Sequence, residues 1–563
     1  MSAVSHLLAD AIEHHRRNRL EQAEALYRRI LRRAPGNAEA LHLYGLLAHQ
    51  SGDNEIAAER IGKAVAINPR SALYRFNLGL ALAAKGEIEP AIESYREAVS
   101  LKPEFADAQN NLGLLLDSQG KADDALACFE QATRVDPGHA EAWVNLGKAI
   151  GERRKARDSL VCFQRALKLN PRLAEAHFGV GKAFEDQGIW VEAEASYRQA
   201  LALNPSFSEA QNNLGTALLA QGKYRKAQSA FHKMRQLKRG PVCNSPDALG
   251  GIPDNAGASP GVRGMPRFKL VDRVEQLEYL LAKGLIDPSF SAVVARGRSL
   301  LNRLEAENEA TGTLMLPEME SPRFEGLCGS VIHYRDAPMV AGRAVDGALD
   351  CGAIEEAYLS SPASVVYFDA FLRRDALEEL RRFCQESTIF FGCDPAGYVS
   401  SYISDGFNCS LLYQIASELK QRFPRVIGPQ FLSNMWVYRH SGHARGVDAH
   451  TDYAAVSFNF WITPDAANLT PDRGGIVVYK KEEPLDWDWM EYNKRKNAPD
   501  IRNKINEFLG AAESITIPYR ENRAVLFHSN LFHKSDEIRF RDGFANRRMN
   551  ITMLFGERGA TTA

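Results

Sequence analysis

Apolar positions over residues 1–239 follow a helical spacing that recurs with one fixed period. Glycine and proline keep this period for six repeats, and between them a small residue stands four positions before a larger apolar one. Each unit predicts two amphipathic helices, in which the glycine and the small residue allow close packing and the proline ends the second helix. The glycines are Gly45, Gly79, Gly113, Gly147, Gly181 and Gly215, and the prolines are Pro35, Pro69, Pro103, Pro137, Pro171 and Pro205. The pairs between them are Ala57 and Ile61, Ala91 and Tyr95, Ala125 and Phe129, Ser159 and Phe163, Ala193 and Tyr197, and Ala227 and Phe231.

This period strongly resembles that of the tetratricopeptide repeat. We count seven units: a less regular first unit over residues 4–37, and then six in strict register to about residue 239. The resemblance implies an all-α solenoid over residues 1–239, with a concave groove that binds peptides.

A second periodic feature lies two positions before each glycine. Asparagine occupies this position four times, and the exceptions are Leu43 and Gly179. A row of side-chain amides could bond an extended peptide of any sequence, since an amide both donates and accepts hydrogen bonds. Alternatively, each asparagine bonds the neighbouring repeat. The candidate peptide-binding residues are Asn77, Asn111, Asn145 and Asn213.

The repeat pattern ends near residue 239, and the chain beyond it divides into three parts. Residues 240–266 are rich in Gly, Pro, Asn and Ala, which predicts a flexible linker. Residues 267–361 have apolar positions at helical spacing and predict a mainly helical connecting region. Residues 362–557 contain many short β-type runs, which predict a β-rich domain. The predicted strands are 363–372, 431–438, 455–463, 475–479, 514–517, 524–527 and 549–554, with helices at 374–385 and 410–422.

The β-rich region contains three residues of types that commonly bind metal ions. His450 and Asp452 are separated by a single residue, so in an extended strand both side chains point to one face. His533 lies much further along the chain, and Arg548 follows it. Two histidines and one carboxylate form the facial triad that holds Fe(II) and leaves open positions for other ligands.

This order of residues resembles the prolyl-hydroxylase-like branch of the 2-oxoglutarate- and iron-dependent oxygenases, over roughly 362–557. The resemblance implies an α+β domain built on a double-stranded β-helix, or jelly roll, in which His450, Asp452 and His533 hold Fe(II). It implies that Arg548 pairs with the far carboxylate of 2-oxoglutarate, and that Tyr438 and Asn459 contact this co-substrate. The implied cofactors are Fe(II), 2-oxoglutarate and O2, with ascorbate as a further candidate.

Some of these assignments have competitors in the sequence. His528 is an alternative to His533 as the distal ligand, and Arg547 competes with Arg548. We prefer His533 because the residues around it resemble the distal motif of the family. His443 is expected on a surface loop. Residues 393–409 are expected to form a loop, and 480–512, with Trp487 and Trp489, a lid or a docking surface.

The bulk properties narrow the choice of partners. The net charge of −1 gives no reason to expect binding to nucleic acid or to a membrane surface. No apolar run is long enough to span a bilayer, and the N-terminus lacks the features of a signal peptide. Eight cysteines without a paired framework are typical of reduced thiols, so a cytoplasmic location is expected.

Three functions remain in view. The first is a hydroxylase that modifies a protein or peptide side chain captured by the repeats. The second is a small-molecule oxygenase whose repeats serve assembly. The third is a non-catalytic repeat scaffold that carries a vestigial oxygenase fold. The substrate, the hydroxylated atom and the oligomeric state do not follow from the sequence.

Overall fold

The computed structural model describes residues 3–153, 155–251, 265–308, 321–394, 397–442, 444–484, 487 and 498–558. The chain forms two compact units, Met1–Pro205 and Ser206–Ala563. Residues 252–264 of the predicted linker, together with His443 and Trp489, lie outside the described residues, so those predictions stay as they are.

Paired helices form the first unit and continue into the second. The expected tetratricopeptide pattern of two helices per repeat is confirmed. In the described residues up to 239 there are fourteen helices, α1 to α14: Ala3–Arg16, Leu20–Arg33, Ala38–Gln50, Asn54–Ile67, Ala72–Lys85, Ile88–Leu101, Ala106–Ser118, Ala122–Val135, Ala140–Gly151, Ala156–Leu169, Ala174–Glu185, Trp190–Leu203, Ser208–Ala220 and Tyr224–Arg239.

The periodic glycines lie where the two helices of a repeat cross. A Cβ atom at Gly45 would stand 2.5 Å from Ile61 Cγ1, closer than real Cβ contacts allow. At the other five crossings an added Cβ would come within 2.6–2.8 Å of an aromatic ring. The predicted role of the glycines in close helix packing is therefore confirmed. The aromatic partners are Tyr95, Phe129, Phe163, Tyr197 and Phe231.

The same packing explains one gap in the row of asparagines. Gly179 stands where most repeats have asparagine, and an added Cβ there would overlap the ring of Phe163 from the preceding repeat. Any side chain at this position would displace that ring.

The second unit contains a further set of helices and two antiparallel sheets. Its remaining described helices, α15 to α21, are Arg267–Ala282, Phe290–Asn308, Ser321–Gly329, Cys351–Ser360, Arg374–Glu386, Ser410–Arg422 and Pro499–Leu509. Its described strands, β1 to β10, are Val365–Phe368, Gly392–Asp394, Tyr398–Tyr402, Leu432–His440, Val456–Trp461, Ile476–Glu482, Ser514–Ile517, Ala524–His528, Leu531–Ser535 and Met549–Phe555.

Every pairing in the two described sheets is antiparallel. Seven strands form one sheet in the order β1-β8-β5-β10-β4-β3-β2, and three form the other in the order β7-β6-β9. The predicted β-rich region is confirmed at this level, since each predicted strand contains or overlaps an observed one.

The expectation that residues 393–409 form a loop is wrong. Strand β3 pairs along its whole length with β4, and β2 pairs with β3. Polar and aromatic residues of β3 are buried, among them Ser400 and Tyr398. A strand is usually predicted from apolar residues at alternate positions. Strand β3 instead has polar side chains on a buried face, so its sequence resembled that of a loop.

Helix α15 is tied to the outer face of the larger sheet by a buried ion cluster. Asp272 accepts hydrogen bonds from Arg439 Nε at 2.9 Å and from Arg547 NH1 at 2.6 Å. Burial alone would raise the pKa of Asp272, but the two guanidinium groups outweigh it and lower the pKa. The carboxylate is therefore charged, and it compensates the buried guanidinium of Arg439 and, together with Glu275, that of Arg547.

The last helix of the repeat pattern packs within the second unit. Tyr224 of α14 stacks on Tyr413 with ring centroids 5.4 Å apart. Further along the helix, Arg235 covers the ring of Tyr334 and Arg239 covers the ring of Phe391. The sequence pattern ends at 239, whereas the second compact unit begins at Ser206.

Among the described residues, none of the helices is both long and apolar enough to cross a membrane.

Candidate metal centre

Backbone hydrogen bonds hold the segment around His450 against β9, which carries His533, and against the turn between β8 and β9. His450 and His533 exchange two such bonds, at 3.0 and 2.9 Å, and Asp452 N donates to Ser529 O at 3.1 Å. The segment precedes β5, which begins only at Val456, and in it His450 forms an isolated antiparallel bridge with His533. The long stretch of sequence between the two histidines therefore does not separate them in space.

The three predicted ligands come together in this arrangement. One ligand atom from each of His450, Asp452 and His533 can be chosen so that all lie within 4.8 Å of one another. His450 Nε2 is 3.9 Å from Asp452 Oδ1, and His533 Nε2 is 3.6 Å from Asp452 Oδ2. Both separations exceed a normal hydrogen bond, so no direct bond between these atoms explains the grouping.

Neighbouring groups orient each of the three side chains. His450 Nδ1 lies 2.8 Å from Asp448 O, and His533 Nδ1 lies 3.2 Å from Leu531 O. Carbonyl oxygens accept hydrogen bonds, so each Nδ1 carries a proton, which in a neutral ring leaves the Nε2 lone pair for a metal. Ser457 Oγ donates to Asp452 Oδ2 at 2.6 Å.

This donor set fits a divalent transition metal. The two imidazoles are in the tautomer that metal binding needs, and the carboxylate is 5% exposed. Two histidines and one carboxylate suit Fe(II), and three protein ligands leave coordination positions for other molecules.

Arg548 lines a cavity that the two histidines of the candidate metal centre also line. Its side chain is 2% exposed and is held by two carbonyl oxygens, Gly474 O at 2.6 Å and Gly475 O at 3.0 Å. Burial lowers the pKa of Arg548 to about 10, which keeps the guanidinium charged at neutral pH. A fixed, charged fork in a cavity is suited to bidentate binding of a carboxylate.

The strand register places the other predicted contact residues on the same wall. Tyr438 of β4 lies opposite Asn550 of β10, and Asn459 of β5 lies opposite Thr552. All four line the cavity. Burial raises the pKa of Tyr438 well above its usual range, so its hydroxyl remains a hydrogen-bond donor. The Oδ1 atom of Asn459 is buried without a hydrogen-bond partner in the described structure.

Sequence reasoning missed two residues of this wall. Trp436 and His440 line the cavity and flank Tyr438 at alternate positions of β4. Alternate side chains on a strand share a face, so the assignment of Tyr438 already contained the signal for both. Trp436 Nε1 and His440 Nε2 are buried, and neither has a hydrogen-bond partner among the described groups.

The competing residues lie elsewhere. His528 is at the end of β8, with Nδ1 3.8 Å from Glu482 Oε1, and it is not part of the three-residue group. Arg547 points to the opposite side of β10, where it pairs with Asp272 and Glu275.

The candidate peptide-binding asparagines make contacts along the row of repeats. Asn77 Nδ2 lies 2.7 Å from His42 Nε2, and Asn145 Nδ2 donates to Asn110 Oδ1 at 2.8 Å. Each of these two bonds joins an asparagine to the preceding repeat. This is the alternative to peptide binding that the sequence left open. Asn111 and Asn213 accept hydrogen bonds from the adjacent Asn110 and Asn212, at 3.4 and 3.3 Å. Peptide binding by these residues stays a prediction.

The described part of the expected lid packs beside the segment that carries His450 and Asp452. Trp487 lies against Phe508 of α21 and Phe532 of β9, with ring centroids 5.2 and 6.2 Å apart. Arg502 of α21 pairs with Asp448 at 2.9 Å, and the backbone oxygen of Asp448 is the one that orients His450. This helix therefore buttresses the segment that carries two of the candidate ligands.

Comparison with known families identifies the repeats. Two family profiles, each described as Tetratricopeptide repeat, match residues 8–58, 110–150 and 151–206, and residues 196–229. A profile described as TPR repeat matches residues 79–117. The chain contains tetratricopeptide repeats, a class of repeat that serves protein–protein interaction or peptide binding. No curated relative matches the chain.

Several solved structures resemble part of the chain. MamA is 26% identical, with 29% of this chain and 95% of MamA covered and a TM-score of 0.28. YrrB, described as a TPR protein with an unusual peptide-binding site, is 25% identical, with 32% and 94% covered and a TM-score of 0.29. PilF of Pseudomonas aeruginosa is 21% identical, with 37% and 95% covered and a TM-score of 0.35.

Proposed function

We propose that this protein is a 2-oxoglutarate- and Fe(II)-dependent dioxygenase that hydroxylates a side chain of a protein or peptide bound by the repeats. One observation carries the proposal: two histidines and a carboxylate come together, and one cavity is lined by both histidines and by the buried Arg548. In this proposal the two antiparallel sheets form the double-stranded β-helix of the oxygenase family. In its favour, residues of both sheets line that cavity.

In this proposal, some residues bind the metal and others bind the co-substrate. His450, Asp452 and His533 would hold Fe(II), and Arg548 would bind the far carboxylate of 2-oxoglutarate. When bound, Fe(II) with 2-oxoglutarate and O2 supplies the oxidation of a C–H bond, with succinate and CO2 as co-products. The protein contributes the orientation of these groups and a largely buried wall that limits access of water.

Partly exposed aromatic rings lie near the candidate site. Trp436, which lines the cavity, has the ring of Tyr402 beside it, with centroids 6.0 Å apart. Tyr402 is 36% exposed and Tyr453, next to Asp452, is 41% exposed. Aromatic rings that are partly open to solvent can pack against a peptide side chain at little entropic cost.

Two variants separate metal binding from co-substrate binding. Under anaerobic conditions, His450→Ala should lose Fe(II) binding, whereas Arg548→Ala should keep Fe(II) and lose 2-oxoglutarate. Both should lose succinate formation in air. Equilibrium dialysis measures the two ligands, and thermal melting checks that each variant is folded.

Wild-type protein that binds neither Fe(II) nor 2-oxoglutarate would refute the proposal. If the wild type turns over 2-oxoglutarate, a peptide library tests the substrate class. Hydroxylation of a free metabolite but of no peptide would replace the peptide substrate by a small molecule.

A further inference from the structure

Thr451 lies between the candidate ligands His450 and Asp452, and its side chain bonds to a buried carboxylate. Its hydroxyl donates to Glu483 Oε2 at 2.6 Å. Thr451 is 2% exposed and Glu483 is 5% exposed, so this hydrogen bond is shielded from water. Glu483 is not one of the three residues that can hold a metal ion together. The bond therefore anchors the segment to a group outside the candidate metal centre.

Glu483 is itself held in place by two contacts. Its backbone N–H donates to Asn530 O at 3.1 Å, in the turn between β8 and β9. Its Oε2 lies 2.8 Å from NH1 of Arg558, which follows the end of β10. The guanidinium supplies a counter-charge to the buried carboxylate. The hydroxyl of Thr451 therefore bonds to an acceptor whose position is fixed.

The anchor joins two neighbours of β9. Strand β6, which Glu483 directly follows, pairs with β9 at His533, and His450 forms a bridge to the same residue. The segment is thus attached to β9 and the adjoining turn by backbone bonds, and to Glu483 by the side chain of Thr451. A segment held by a single row of hydrogen bonds can still rotate about that row. The bond to Glu483 opposes this rotation, which would move the ligand atoms of His450 and Asp452 relative to His533.

We propose that Glu483 is a positioning residue for the candidate metal centre, acting through Thr451, and that it sets how tightly the metal is bound. This inference rests on the metal site of the function proposed above. A group that orients metal ligands from outside the ligand set typically changes metal affinity by about 10- to 100-fold. The same range is expected for the bond between Thr451 and Glu483.

A second contact to the same segment provides a comparison. Arg502 NH2 lies 2.9 Å from Asp448 Oδ2, but the two side chains are 32% and 37% exposed. Exposed ion pairs contribute little, because water competes for both charges. Arg502→Gln should therefore leave Mn(II) affinity within about threefold of wild type.

Equilibrium dialysis of Mn(II) measures the effect of the buried bond. Thr451→Val removes the hydroxyl but keeps the branched shape, and it should weaken Mn(II) binding by about 10- to 100-fold. Thr451→Ser keeps the hydroxyl and should remain within about threefold of wild type. Glu483→Met removes the acceptor at similar length and should weaken binding to a similar degree as Thr451→Val. Both changes remove the same bond, so the double variant should bind no worse than the weaker single variant by more than about threefold.

A spectrum separates the position of the ligands from the stability of the fold. The visible absorption bands of bound Co(II) depend on the arrangement of its ligands. At saturating Co(II), Thr451→Val should shift these bands relative to wild type, whereas Thr451→Ser should restore them. Thermal melting of the metal-free proteins reports stability independently.

Several outcomes would overturn the inference. Equal Mn(II) affinity in wild type and Thr451→Val would do so, as would equally weak binding by Thr451→Ser and Thr451→Val. Additive losses in the double variant would show that Glu483 does not act through Thr451. A lower melting temperature with unchanged affinity and spectrum would assign the bond a purely structural role.

Two further results keep the test decisive. If Thr451→Val does not fold, Thr451→Ala removes the same hydroxyl without burying an added methyl group. Wild type that binds Mn(II) but not 2-oxoglutarate would refute the proposed function alone, and the variants would still decide the role of Glu483. Wild type that binds no Mn(II) would refute both.

Discussion

At the scale of single residues, the turn between β8 and β9 decides which histidine reaches Asp452. His528 ends β8 and lies opposite Val456, whereas His533 is in β9 and pairs through its backbone with both His450 and Val478. The turn between the two strands puts the two rings in different surroundings. A comparison of the two positions therefore tests the metal site directly.

His533→Ala should weaken Mn(II) or Fe(II) binding by at least about 100-fold, more than the 10- to 100-fold typical of an outer-shell change. His528→Ala should leave metal affinity within a few-fold of wild type. Equilibrium dialysis of the two variants provides the measurement. The reverse pattern would transfer the distal ligand to His528.

A second residue-scale feature is a buried histidine in the repeats. His42 is 4% exposed, lies 4.4 Å from the stacked ring of Tyr74, and accepts at Nε2 from the amide of Asn77. Burial lowers the pKa of His42 to about 4. Protonation would both charge a buried ring and remove the lone pair that Asn77 uses.

The stability of the repeats should therefore fall in acid. Because the folded pKa is below the unfolded value of about 6.5, the unfolded chain takes up the proton first, and stability decreases as the pH falls from about 6.5 toward 4. His42→Gln should show a smaller decrease over this range. Melting curves at several pH values compare the two proteins, and parallel curves would contradict the assignment.

At the scale of elements, one glycine per repeat sets how closely two helices approach. Gly45 of α3 faces Ile61 of α4, and the backbone oxygen of Ala57 would lie 3.1 Å from an added Cβ. A backbone atom cannot rotate away, so the helices would have to separate. Gly62, which directly follows Ile61 on α4, has nothing within 4 Å of an added Cβ.

Gly45→Ala should destabilise the repeats by about 1–3 kcal/mol through overpacking, partly offset by the better helix propensity of alanine. Gly62→Ala gains that propensity without a clash and should stabilise by about 0.5–1 kcal/mol. Urea denaturation of the full chain, followed by circular dichroism, ranks the two. An equal gain in both would mean that the crossing tolerates a methyl group.

At the scale of the whole molecule, the compact units do not end where the repeat pattern ends. Helices α13 and α14 continue the repeat period, but they lie in the second unit. His232 of α14 lies 2.9 Å from the hydroxyl of Tyr334, and Arg239 is 3.9 Å from Asp405. These contacts are part of the interior of the second unit.

A fragment of residues 206–563 should therefore fold and bind Mn(II), whereas residues 240–563 should not. Removal of α13 and α14 exposes the rings of Tyr334, Phe391 and Tyr413, which α14 now covers or contacts. Limited proteolysis and a cooperative melting transition distinguish the two fragments. Equal protease resistance would mean that α14 is dispensable for this unit.

Prediction from the sequence succeeded where contacts are local. The glycine and its partner on the second helix, such as Gly45 and Ile61, both lie within one period. Seven of the ten described strands were also located, because alternating apolar residues mark a face in contact with a core. Strand β3 was missed because its inner face is polar, and β9 because its short run carries His533 and Lys534.

The sequence by itself determined the repeats, the main strands and the residue types of a candidate metal centre, since these depend on period, alternation and ligand chemistry. Tertiary structure decided which residues meet. Arg548 and His440 are far apart in the sequence, and only the antiparallel pairing of β10 with β4 brings them into contact. The contact between Arg548 and His440 requires His440 Nδ1 to accept a hydrogen bond. Strand register brings the two residues together, and because register depends on residues far apart in the sequence, no local pattern predicts it.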